Sequence, residues 1–276
     1  MRVIALAGLI VAASAGMAVA AGSVERGDYL VNSIMGCGNC HTPIGAQGFE
    51  QDKALSGRLV EDSPAFTAIA ANLTPAGPTK DWTDEQFAKA IREGIRPDGT
   101  LIGPPMPFEV YGKISDDDLA SVVAYLRTVP PVANDPGTSK YNIPLPPAWG
   151  PPVTSVAAVP EGVTLEYGAY LAGPLGHCTV CHTTPLPTGQ FDFQNALGAG
   201  GMEFAQPDGS KVKAPNITPT GIGEYTDAQL ATMITHGTRP DGSAMKPPMP
   251  YPYFANLKPD DVSAIILYLR SLPAKG

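Results

Sequence analysis

Two stretches of the chain carry the same apolar pattern at helical spacing. Leu119, Val122, Val123 and Leu126 stand at i, i+3, i+4 and i+7, and Val262, Ile265, Ile266 and Leu269 repeat that stripe 143 residues later. Each stripe is preceded by acids, Asp116 to Asp118 in one case and Asp260 with Asp261 in the other, which favour the positive end of a helix dipole. A second pair of helices is announced by Thr83-Asp84-Glu85-Gln86 and Thr226-Asp227-Ala228-Gln229. In each, the threonine hydroxyl can cap the third amide while glutamine reaches back. Gly94 and Gly237 are natural stops for these helices. A further helix is predicted from about Ser23, as N-cap, to Ile34, with a partner beginning near Thr164. No run alternates apolar and polar residues as a half-buried strand would, so the pattern predicts an all-α fold.

These pairs belong to a longer duplication. Gly27-Asp28-Tyr29-Leu30 returns as Gly168-Ala169-Tyr170-Leu171, and Cys37-Gly38-Asn39-Cys40-His41 returns as Cys178-Thr179-Val180-Cys181-His182, both 141 residues on. Asn72-Leu73-Thr74-Pro75, Arg96-Pro97-Asp98-Gly99, Pro104-Pro105-Met106-Pro107 and Tyr125-Leu126-Arg127 reappear in order as Asn216-Ile217-Thr218-Pro219, Arg239-Pro240-Asp241-Gly242, Pro247-Pro248-Met249-Pro250 and Tyr268-Leu269-Arg270. The drift in spacing marks small loop insertions. Residues 21–133 and 161–276 are therefore expected to be two tandem domains. The proline-rich, charge-poor segment 134–160 is expected to be an extended, semi-rigid connector. Ahead of them, Arg2, the apolar run Val3 to Ala20 and the small-residue triplet Ala18-Val19-Ala20 predict a secretory signal over 1–20. This places the mature chain in the periplasm of a bacterium, with no later stretch long enough to span a membrane.

Composition removes several classes. The net charge of −8 supplies no basic field for phosphate backbones, so nucleic acid is not an expected partner. No glycine-rich phosphate loop follows a strand, which leaves a nucleotide enzyme unsupported. At 43% hydrophobic residues the chain can bury real cores, and disorder is not expected.

All four cysteines lie in the two Cys-x-x-Cys-His segments. Two thiols one helical turn apart can form thioethers with the vinyl groups of a haem, and the adjacent histidine can ligate the iron. The competing readings are two disulfides or a zinc site made of all four thiolates. Neither accounts for both histidines, and the zinc site would need motifs from separate repeats to converge. The expectation is two covalently bound haem c groups, attached through Cys37, Cys40, Cys178 and Cys181, with His41 and His182 as iron ligands.

For the opposite face of each iron the duplication selects Met106 and Met249, which among eight methionines alone occupy equivalent positions. Both sit in proline-rich loops that can preorganise a thioether. His177, His236 and Lys246 are the competitors; the two histidines face Gly36 and Glu93 in the other copy, and read as an exposed loop residue and a helix-terminal residue. Arg96 and Arg239 could pair with haem propionates or sit in Pro-Asp-Gly turns. Asn72 and Asn216 could orient a propionate or close a turn, and Tyr29, Tyr125, Tyr170 and Tyr268 could pack the first helix of each copy on the last.

Taken together, the Cys-x-x-Cys-His segments, the Asn-x-Thr-Pro turns, the Met-Pro loops followed by Phe108 or Tyr251 and the closing Tyr-Leu-Arg helices resemble class I cytochrome c domains. The resemblance is closer to the cytochrome c subunits of periplasmic alcohol, aldehyde and sugar-acid dehydrogenases. It implies two tandem class I cytochrome c domains, His41 paired with Met106 on one iron and His182 with Met249 on the other. It also implies a non-enzymatic role: electron delivery from a partner dehydrogenase to a respiratory acceptor such as a cytochrome, an oxidase or a quinone-linked complex. The alternatives are a dihaem redox enzyme of the peroxidase or thiosulfate-oxidising type, with one open or unusually ligated iron, and a haem-based sensor.

Overall fold

The computed structural model describes residues 22–186, 190–206 and 209–276; the expected secretory signal lies outside the described residues. In chain order the first half holds α1 (Val24–Asn32), α2 (Gly38–His41), β1 (Ile44–Gly45), β2 (Gly48–Phe49), β3 (Arg58–Asp62), β4 (Phe66–Ala70), α3 (Asp84–Glu93), α4 (Phe108–Tyr111) and α5 (Asp116–Leu126). The connector contributes β5 (Lys140–Tyr141). The second half holds α6 (Leu165–Tyr170), a π-type turn over Leu171–Leu175, α7 (Cys178–Cys181), β6 (Glu203–Ala205), β7 (Lys211–Lys213), α8 (Pro219–Ile222), α9 (Asp227–His236), α10 (Tyr251–Phe254) and α11 (Pro259–Ser271).

The helix ends follow the sequence chemistry. Ser23 and Thr164 cap α1 and α6 by accepting from the amides of Arg26 and Tyr167. Both capping boxes form, at Thr83 with Gln86 and at Thr226 with Gln229, and Gly94 and Gly237 end those helices in the left-handed region at φ 67° and 62°.

The all-α expectation is overturned. Helix accounts for 36% of the structure and strand for 11%, giving a mixed, helix-dominated fold with, among the described residues, three small antiparallel sheets. Their order is β1-β2, β3-β4-β5 and β6-β7. The strands escaped the periodicity because they are two to five residues long and do not lay one face on the core: β3 mixes half-buried and exposed positions without a single buried residue.

The glycine of each Gly-x-Tyr-Leu segment explains how the terminal helices cross. A Cβ on Gly27 would lie 1.9 Å from the Ser121 carbonyl oxygen on α5, and one on Gly168 would lie 2.0 Å from the Ala264 carbonyl oxygen on α11. Only glycine permits that approach. Gly27→Ala or Gly168→Ala is expected to cost about 1–3 kcal/mol or more through forced separation of the helices. Chemical denaturation of the matured protein checks this, and an unshifted unfolding midpoint contradicts it.

One apolar cluster runs through both halves, from Leu30, Ile34 and Leu126 to Leu171, Leu175 and Ile265. Reciprocal polar contacts seal the join. The Tyr29 hydroxyl donates to Asp261 at 2.5 Å and accepts from the Lys258 amide at 3.1 Å. Its repeat counterpart Tyr170 donates to Asp118 at 2.8 Å and accepts from the Ser115 amide at 3.0 Å. Arg26 holds Asp118 through two bonds, at 2.8 and 3.1 Å, and also reaches Glu161 at 3.0 Å. The hydroxyls of Tyr29 and Tyr170 thus bind across the join to the opposite half, a role beyond the expected packing of first helix on last within one copy. Burial raises both phenols and the Asp261 carboxyl above their usual ranges.

Candidate functional site

Each cysteine segment is a single helical turn that follows shortly after the first helix of its half, α1 or α6, the latter through the π-type turn. After α1 the chain folds back through Gly36, at φ 53°, and the Cys37 amide donates to Val31 O at 3.1 Å. The turn closes with the His41 amide on Cys37 O at 3.0 Å. In the second half His177, at φ 42°, takes the place of Gly36, and the His182 amide donates to Cys178 O at 2.9 Å. This places two thiols three residues apart on one turn, with the imidazole next along the chain.

The two imidazoles are oriented identically. His41 Nδ1 lies 2.8 Å from Ala71 O and His182 Nδ1 lies 2.8 Å from Pro215 O. A ring nitrogen bonded to a carbonyl carries the proton, so Nε2 is left as the lone-pair nitrogen that a metal requires. Burial pushes both imidazoles below their ordinary pKa, towards the neutral, ligating form. The four thiols are free. Burial raises Cys37 and Cys178 to about 12, Cys181 to about 11, and Cys40 in the same direction. They form no disulfide, and among the described residues no group of three or more His, Cys, Asp or Glu side chains is placed to hold a metal ion. The donor set therefore suits a haem attached through two sulfurs and one imidazole per segment better than it suits a disulfide or zinc.

The methionine loops also correspond. Each follows a cis Pro-Pro bond, Pro104-Pro105 and Pro247-Pro248, and each is anchored at its start, by the Ile102 amide on Gly94 O and the Met245 amide on Gly237 O, both at 2.7 Å. Met106 and Met249 are half-buried and pack on the core. His236 is exposed at the end of α9, beside Thr235 at 2.6 Å, and Lys246 is exposed. His177 departs from the expected exposed loop residue: it is half-buried, lies edge-on to the Tyr111 ring at 6.2 Å, bonds to the Met35 backbone and is pushed down to about 4 by burial.

The possible propionate residues are placed less simply. Asn72 donates to Val132 O at 2.8 Å and Asn134 O at 3.1 Å while accepting from the Thr74 amide and hydroxyl, so its side chain is fully used in closing a turn. Asn216 makes the equivalent turn with Thr218 and donates to Lys275 O. Arg96 and Arg239 each use Nη1 on their own loop, at Leu101 O and Ala244 O, which leaves the rest of the guanidinium uncommitted.

Two features carried no clear signal in the sequence. First, the cysteine segments adjoin each other across the join: Cys40 lies close enough to Cys181 to perturb it, Asn39 donates to Pro248 O at 3.2 Å, and Tyr253 of α10 stands against Gly38, where a Cβ would fall 2.1 Å from the phenol oxygen. Second, the connector aromatics Tyr141 and Trp149 lie on the Met106 loop. Aromatic residues within a proline-rich segment were the available sign of that.

A family model described as cytochrome c oxidase, cbb3-type, subunit III matches residues 22–126. The fructose dehydrogenase cytochrome subunit of Gluconobacter japonicus is 34% identical, over 92% of this chain and 53% of its own length. The gluconate 2-dehydrogenase cytochrome c subunit of Pantoea cypripedii is 30% identical, over 91% and 60% respectively. A diheme cytochrome c-type protein of Cereibacter sphaeroides is 28% identical, over 92% and 87%. The chain thus spans little more than half the length of the dehydrogenase subunits and most of the length of the dihaem protein. With two Cys-x-x-Cys-His turns of the same geometry, these matches show a cytochrome c-type domain over residues 22–126 and a chain similar to the cytochrome c subunits of fructose, alcohol and gluconate dehydrogenases.

Proposed function

We propose that the chain is a periplasmic dihaem electron carrier, built of two cytochrome c units over residues 21–133 and 161–276. It takes electrons from a partner dehydrogenase and passes them to a respiratory acceptor. The observation that carries this is the duplicated turn in which His41 and His182 are pinned through Nδ1 at 2.8 Å, each beside two free thiols. Haem, when bound, supplies a one-electron iron couple.

The residues around it have distinct tasks. Cys37 with Cys40, and Cys178 with Cys181, would attach it covalently, and His41 and His182 would offer Nε2 to its iron. Met106 and Met249, on their proline-rich loops, would each offer a thioether to the iron as its second protein ligand. Arg96 and Arg239 can offer their free guanidinium nitrogens to propionates. Proximity of the two sites across the join, where Asn39 beside Cys40 bonds Pro248 beside Met249, favours passage from one to the other within the chain. Among the described residues no helix is long and apolar enough to cross a membrane.

Anaerobic reduction tests the assignment. With its substrate, a purified dehydrogenase of the fructose, alcohol or gluconate class is expected to reduce the oxidised chain by two electrons, seen as growth of the c-type α band. Turnover of peroxide or thiosulfate by the chain alone contradicts the carrier role. The acidic surface, net −8 over the whole sequence, makes encounter with a basic face salt-sensitive. The reduction rate is accordingly expected to fall as ionic strength rises, and a flat dependence contradicts electrostatic docking.

A further inference from the structure

The connector does more than join two halves. Asn134 Nδ2 donates to Ser56 O at 2.9 Å and the Ser139 hydroxyl accepts from the Ile69 amide at 2.9 Å, so the chain lies back on the first half as soon as it leaves it. Lys140–Tyr141 then adds to the sheet as β5, paired antiparallel with Thr67 and Phe66 of β4. From that strand the Tyr141 ring covers Gly103, and its hydroxyl donates to Pro104 O at 3.1 Å. Further on, Trp149 stacks on Phe108 at 5.7 Å between centroids and 24° between planes, and its indole N–H donates to Ile102 O at 2.8 Å. Ile102, Gly103, Pro104 and Phe108 bracket Met106 on both sides. The loop therefore takes two of its polar anchors and two aromatic lids from the connector.

The second half handles the same loop differently. Lys246 stands where the first half has Gly103, and Tyr251, the counterpart of Phe108, reaches Lys246 O with its own hydroxyl at 3.4 Å. Pro247 O, the counterpart of Pro104 O, accepts from the half-buried Gln206 side chain at 3.2 Å. None of these contacts involves the connector. Gly103 itself shows the specificity of the arrangement: its backbone is not left-handed, yet a Cβ there would lie 2.3, 2.4 and 2.8 Å from three Tyr141 ring atoms. Its lack of a side chain serves the tyrosine.

We propose that Tyr141 and Trp149 are positioning residues for Met106, so that the connector is a strap on the methionine loop of the first site and not on that of the second. The proposal rests on the dihaem His-Met reading above. Without the strap, the loop would lose two hydrogen bonds ahead of Met106 and its aromatic cover at Gly103 and Phe108, and a thioether, a weak ligand, would yield to a competing one.

The test is imidazole titration of the oxidised, matured protein, followed through the long-wavelength sulfur-to-iron absorption, with a redox titration of the same samples. Gly103→Ala, which evicts the Tyr141 ring, is expected to let imidazole displace the methionine at one site at least about tenfold more readily, removing half the sulfur-to-iron absorption and lowering one of the two potentials. Tyr141→Phe keeps the ring and removes a single hydrogen bond, and is expected to shift the same half by about fivefold. Trp149→Phe should act on that half as well. Because Tyr141→Phe preserves the packing, it keeps the test intact if Gly103→Ala does not fold. Equal effects on both sites, or none at either in the variants, overturn the proposal alone. Absence of sulfur-to-iron absorption in the unaltered protein overturns both the proposal and the His-Met assignment beneath it.

Discussion

A chain in which Cys37 and Cys40 are both replaced by alanine is expected to retain one covalent haem of two. The c-type absorbance per chain should fall by half, and the mass of the denatured chain should show one attached group. The Cys178→Ala with Cys181→Ala pair should give the same loss from the other site. The reason is that each cysteine turn is closed by its own backbone bonds, His41 N on Cys37 O and His182 N on Cys178 O, and is backed by its own helix. Neither turn depends on the other's sulfurs for its shape. His41 keeps its Nδ1 bond to Ala71 O in the first variant, so haem held there by ligation alone would be extracted on denaturation while the thioether-bound haem remains. Loss of both groups from either variant, or of neither, contradicts two independent attachment sites.

Replacing Met106 or Met249 by alanine is the second large effect. Each change should abolish half of the sulfur-to-iron absorption, lower one potential, and convert that site into one that binds cyanide or imidazole. Thioether ligation favours the reduced state, so its loss shifts the couple downward. No neighbouring histidine is poised to replace it: His177 is held by the Met35 backbone and the Tyr111 ring, and His236 is exposed at the end of α9. The double variant should lose the absorption entirely. An unchanged spectrum in both single variants assigns the axial ligand elsewhere.

Much of the local chemistry was legible because it depends on residues near one another in the chain. The capping boxes at Thr83 and Thr226, the stops at Gly94 and Gly237, and the cysteine turns are all short-range, and duplication doubled each signal. The sheets were not legible, since strands as short as β1 and β2 leave no period to detect. Long-range pairings were hidden too. Tyr29 and Tyr170 announce helix packing, and only the folded chain shows that their hydroxyls reach Asp261 and Asp118 across the join. Asn72 and Asn216 repeat faithfully for the plain reason that both close the same turn. The connector reads by composition as a spacer, and composition could not reveal that Tyr141 and Trp149 had acceptors waiting at Pro104 and Ile102.

The most direct measurement is quantitative electron paramagnetic resonance of the natively matured, fully oxidised protein. Two low-spin ferric signals per chain, both six-coordinate, are expected from sites furnished by His41 with Met106 and by His182 with Met249. A persistent high-spin, five-coordinate iron, or fewer than two irons per chain, would contradict a pair of saturated sites whose work is electron transfer.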